Sequence, residues 1–162
     1  MTTLKVTRFT NVHRQAVERL MTLLQETERA LSPDRQFGEE MAAAHIEYLV
    51  SLVESKDGAF MIAVADDQVI GFLVVIINAE DAKDHHLKLQ YQQYGEITDI
   101  VVDTAHRGRG AAKALLAQAI EHTKALGLIR IKVTALVNNL PAAGLYQSAG
   151  FKPAERTFVL DW

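Results

Sequence analysis

The sequence predicts one α/β (α+β) domain spanning 1–162, with element order β-α-α-β-β-β-α-β-α-β, and three observations lead there. Two amphipathic helical stretches follow a short opening strand, β-rich runs fill the middle, and a strand, a glycine turn and an alanine-rich helix come in succession after them. The chain has 162 residues, 49% of them hydrophobic and 23% charged, which suits one compact core.

Alternation in Leu4-Lys5-Val6-Thr7-Arg8-Phe9 marks the first strand. Asn11 is the expected N-cap of a helix that carries Ala16, Val17, Leu20, Leu23 and Leu24 on one face and frays near Ala30. Ser32-Pro33-Asp34 breaks it. A second helix follows with Met41, Ala44, His45, Tyr48, Leu49 and Leu52 at helical spacing, closing at Lys56-Asp57-Gly58, and His45 is expected to pack on it. Ala59 to Ala65 and Val69 to Asn78 read as an antiparallel hairpin turned at Asp66-Asp67-Gln68. The polar stretch Ala79 to Gly95, with His85 and His86, reads as a long exposed connection, uncommon unless it has a role. Glu96 to Val102 resumes the sheet. Ala111 to Ala125 is a helix stopped at Gly127, Ile129 to Leu136 alternates as a strand, Pro141 opens a helix that ends at Gly150, and Thr157 to Leu160 is a last strand.

Composition excludes several chemistries. With no cysteine there are no disulfides, thiolate metal sites or cysteine nucleophile. A net charge of -3 gives no global field for a polyanion, so nucleic acid is not an expected partner and any anion is bound locally. The apolar runs are too short to cross a bilayer, and Met1-Thr2-Thr3-Leu4-Lys5 lacks the order of a secretory signal, so the expected location is cytoplasmic, without membrane contact.

The candidate local anion site is Arg107-Gly108-Arg109-Gly110-Ala111-Ala112-Lys113, a turn that taken alone also suits a plain loop before a helix. The first amides of a helix lack internal partners and carry partial positive charge. Gly108 and Gly110 remove side chains that would keep a phosphate from the backbone, while Arg107, Arg109 and Lys113 add charge. The turn lacks the third glycine and the downstream acidic residue of a dinucleotide fingerprint, and the chain has no Gly-Lys-Ser or Gly-Lys-Thr of a Walker loop.

These residues resemble the GNAT superfamily of N-acetyltransferases. Its central motif is matched by Arg107, Gly110 and Ala112, and a second motif by Asn139, Ala142, Leu145, Tyr146, Gly150 and Phe151. The resemblance covers nearly the whole chain and implies a mixed, mostly antiparallel sheet of six to seven strands flanked by about four helices. It implies acetyl-CoA as donor, no metal, and an amine of a small molecule or peptide as acceptor; a homodimer is possible. It further implies that Ile100, Val101 and Val102 run beside the pantetheine arm, that Arg107 to Lys113, Asn139 and Tyr146 bind the cofactor, and that Tyr146 also protonates the leaving thiolate. Asn139 equally suits a helix N-cap.

Acetyl transfer needs a neutral amine, yet an alkyl ammonium has a pKa of about 10.4, so a side chain or a chain of water must take its proton. Glu96 and Asp99 are the candidate carboxylates, and the resemblance favours Glu96, which matches the glutamate that serves as base in some members of that superfamily; strand alternation puts the two on opposite faces unless a bulge intervenes. The following strand offers Lys132 and Thr134 but no acid, while His85 and His86 sit in the connection. Two other readings compete with acetyl transfer: an acyl-CoA-binding sensor that transfers nothing, and a module that uses the glycine turn for other phosphates.

Overall fold

The computed structural model describes residues 3–162; Met1 and Thr2, part of the N-terminal reading, lie outside the described residues. Five strands form one sheet in the order β1 (Lys5–Arg8), β2 (Ala59–Ala65), β3 (Gln68–Ala79), β4 (Gln93–Val102) and β5 (Ile131–Val133). The first four are antiparallel neighbours, and β5 joins β4 in parallel. The hairpin turn is at Asp66 and Asp67, with φ of 49° and 60°, a backbone that short polar side chains tolerate and that matches the twist of the strands.

Each face of the sheet is covered by helices, which is why the central strands read as continuous apolar runs. On one face, α1 (Arg14–Arg29) and α2 (Gly38–Ser55) bury Val17, Leu20, Met21, Ile46 and Leu49 against Phe60, Ile62, Phe72 and Val74. On the other, α3 (Ala111–Ala125) sets Leu115, Leu116 and Ala119 on Met61, Leu73, Val75 and Ile97, and Tyr146 from α4 (Leu140–Ser148) completes that layer. Leu115 has no exposed surface at all. Leu115→Ala therefore leaves a cavity in a close-packed layer, and the expected loss is about 3 kcal/mol, read as a lower urea midpoint with an unchanged slope.

Several boundaries differ from those expected. Thr10, not Asn11, begins the first helical segment, its backbone N–H donating to His13 Nδ1 at 3.1 Å, and a single 3-10 turn at Asn11–His13 precedes α1. β4 begins at Gln93, shortening the exposed connection, which carries one 3-10 turn at Leu89–Tyr91. The strand expected over Ile129 to Leu136 pairs only at Ile131–Val133, because β4 turns away beyond that point. Thr157 to Leu160 forms no strand, so among the described residues the sheet has five strands rather than six to seven. Phe158, Val159 and Leu160 are exposed, with no sheet edge against them to supply ladder bonds. Among the described residues, no helix is long and apolar enough to cross a membrane.

Candidate active site

The site begins with a bulge. Val74 faces Asp99 and Val75 faces Ile97, so Thr98 is an extra residue in β4 without a partner on β3. An extra residue bends its strand and increases local twist. β4 and β5 stay paired only from Gly95 to Ile97, and beyond that they part, opening a cleft of about 360 Å³ between Ile97–Val102 and Val133–Leu136. Ile100, Val101 and Val102 line it as expected. A small-molecule site has about this volume.

At one end of the cleft is the start of α3. Gly108 and Gly110 have φ of 75° and 87°, a region that glycine enters without steric cost. A Cβ built on either would meet no protein atom within 4 Å, so no internal packing demands glycine there. Among the described residues, no side chain caps the helix start. Arg107, Gly108, Ala111 and Ala112 line the cleft, while Arg109, Gly110 and Lys113 are exposed beside it on the same turn. Arg107 is steadied by its Nε, which donates to the Val102 carbonyl at 3.2 Å. Bare amides, open space and nearby cations are the features that a phosphate seat requires.

Across the cleft stand Asn139, Ala142, Leu145 and Tyr146. Asn139 caps α4, its Oδ1 accepting from the Ala142 N–H at 3.2 Å, so the capping role is present at a residue that also lines the cleft. Tyr146 is 9% exposed and its ring meets Phe151 at 6.0 Å between centroids. Burial, helped by the nearby Glu28 charge, pushes its hydroxyl up to about 12, so it keeps its proton at neutral pH.

The bulge decides where the two carboxylates lie. Asp99 and Glu96 face Val74 and Ile76, which belong to the same layer under α1 and α2, so the extra residue brings both acids to one face. They part there. Asp99 lines the cleft and accepts a hydrogen bond from His45 Nε2 at 3.3 Å, whereas Glu96 Oε2 accepts from Asn78 Nδ2 at 2.7 Å and is not on the cleft wall. His45 thus reaches across to β4 instead of packing only on its own helix. His86 pairs with Asp84 on the exposed connection, and neither it nor His85 lines the cleft.

Sequence reasoning missed the contribution of α1. Leu24, Thr27 and Glu28 form one wall, and His106, whose buried Nδ1 has no hydrogen-bond partner among the described residues, lies near the glycine turn. Burial raises the Glu28 carboxyl above its ordinary value, partly offset by Arg35 and reinforced by Asp99. An amphipathic helix with a glutamate on its polar side carries no mark of this. Among the described residues, no cluster of His, Asp and Glu is arranged to hold a metal.

Human N-acetyltransferase 8B is 30% identical over 112 residues, covering 69% of this chain and 46% of that protein; the chain spans about half the length of the curated relatives it first matches. An aminoglycoside N-acetyltransferase in complex with CoA superposes with a TM-score of 0.73 at 19% identity, over 100% of this chain and 96% of that one. A transcriptional regulator from Bacillus halodurans superposes with a TM-score of 0.75 at 17% identity, over 99% of this chain and 100% of that one. These likenesses show a shared fold. The acetyltransferase (GNAT) family model matches residues 17–151, which include the bulged strand, the glycine turn and Tyr146, and the chain belongs to that family.

Proposed function

We propose that this chain moves the acetyl group of acetyl-CoA directly to a primary amine of a small molecule or peptide, both substrates sharing one cleft and no acyl-enzyme forming. The observation that carries the reading is a bare, glycine-flanked helix start opening on the same cavity as a buried, protonated Tyr146. The CoA bound to a structural relative of the same fold supports the donor. Acetyl-CoA supplies an activated acyl carbon and a thiol leaving group. The chain supplies the rest. The first amides of α3, with Arg107, Arg109 and Lys113, hold the diphosphate. The edge of β4 beyond Ile97, left without a β5 partner, offers main-chain groups along Ile100 to Val102 for the pantetheine arm and the thioester carbonyl. Tyr146 donates its proton to the departing sulfur.

The acceptor amine must lose a proton before it attacks. Of the two acids weighed from the sequence, Asp99 is the one on the cleft wall, so the preference given to Glu96 passes to Asp99. Asn139 keeps its cap and lies close enough to the cleft to touch the cofactor as well.

The test is to mix the protein with acetyl-CoA and a panel of primary amines and follow free thiol. Release that depends on the amine is the expected result. Binding of CoA with no release on any acceptor would instead favour an acyl-CoA sensor, and displacement of CoA by ATP or NAD would favour a general phosphate-binding module.

A further inference from the structure

Beside the donor cleft lies a second cavity of about 540 Å³, bounded by α1, α2 and the turn at 34–36. The two share Leu24, Glu28, Thr98, Asp99, Thr134 and Leu136, so whatever occupies the second reaches the first across Asp99. The Asp99 side chain is 11% exposed, and among the described residues its hydrogen-bond partner is His45, 31% exposed, on a different element. A carboxylate at a strand bulge with one side-chain partner is aimed by that partner.

We propose that His45 is a positioning residue for Asp99, fixing its carboxylate at the opening between the two cavities so that it faces the acceptor ammonium. This rests on the acetyl-transfer reading above. The groups around His45 are Asp99 from β4, Glu28 from α1 and Tyr48 from α2, whose ring is 5.7 Å away; Asp34 and Arg35 line the same cavity and act on Glu28. The hydrogen bond to Asp99 raises the proton affinity of His45 against the opposing effect of burial. While His45 is protonated, its charge is paired with the carboxylate; once neutral, it still donates through Nε2–H and the carboxylate is left to the acceptor ammonium.

An N–H bond of the ammonium breaks, its electrons stay on nitrogen, and the proton goes to Asp99. The nitrogen pair then bonds the acyl carbon, the C–S bond breaks with its pair on sulfur, and sulfur takes the Tyr146 proton. The nitrogen sheds a second proton as the amide forms, which restores Tyr146. One proton thus ends on the thiol and one passes from Asp99 to water.

The experiment compares pH profiles of thiol release for the whole chain, His45→Gln and His45→Ala, with lysine, n-butylamine and glucosamine as acceptors. His45→Gln keeps a donor that does not titrate, so the acid limb of kcat moves to lower pH. His45→Ala lowers kcat about tenfold with KM for acetyl-CoA unchanged. By NMR, the His45 titration falls toward the ordinary histidine value in Asp99→Asn. Superimposed profiles for the unaltered chain and His45→Gln, or equal damage from Gln and Ala, overturn the proposal alone. An unmoved His45 titration in Asp99→Asn overturns the pairing whether or not thiol is released. No release from the unaltered chain on any acceptor overturns the acetyl-transfer reading, and this role with it.

Discussion

Gly110→Val raises the dissociation constant for CoA at least about thirtyfold, roughly 2 kcal/mol, as measured by calorimetry. Two effects are mixed in that variant, and the structure separates them. The first is backbone strain: φ at this position is 87°, where a β-branched residue is disfavoured by about 1–2 kcal/mol. The second is obstruction, because the new side chain projects into space that holds no protein atom within 4 Å of the Cβ. Gly127 is the matched control. It lies just past the other end of the same helix with φ of 77°, and a Cβ there also meets nothing within 4 Å. Gly127→Val and Gly110→Val should lose similar stability, while Gly127→Val binds CoA normally. If both weaken CoA alike, strain alone explains the loss and the phosphate seat lies elsewhere.

The order of helices and paired strands was legible because each has its own period, 3.6 for α1 and α2 and a continuous apolar run for strands buried on both faces. The glycine turn was legible because its residues are contiguous and their chemistry is local. What the sequence concealed depends on register and on distance along the chain. Thr98 is one residue among ten in β4, and only the pairing of its neighbours Ile97 and Asp99 with Val75 and Val74 marks it as extra; without that bulge Asp99 and Glu96 would face opposite sides. The same bend shortens the expected Ile129 to Leu136 strand. His45 and Asp99 are separated by 54 positions, and Glu28 lies on a helix whose periodicity concerns its buried face, so no local pattern joins the three. Thr157 to Leu160 has strand composition, but composition cannot provide a neighbour to bond with.

Tyr146→Phe lowers kcat about a hundredfold and leaves CoA affinity unchanged. A thiol leaves with a pKa of about 8.5 in water, and against that value a phenol pushed up to about 12 is too weak an acid to help it. The comparison in water misleads, because the burial that lifts Tyr146 also disfavours a bare thiolate in the same cleft. Without the hydroxyl, the sulfur departs as an anion with no donor, and losing one such donor costs about 10²–10³ in rate. The substitution removes no ring surface, so the apolar layer and the contact with Phe151 persist. Linkage gives an independent check. A group whose pKa rises on folding contributes stability that is complete below its unfolded value near 10 and is lost as pH climbs through about 12. The unaltered chain should therefore lose stability over that interval, and Tyr146→Phe should show less of that slope. A variant that flattens the alkaline slope yet turns over normally would leave Tyr146 buried in the cleft but without a part in the chemistry, and the proton for sulfur would have to come from water.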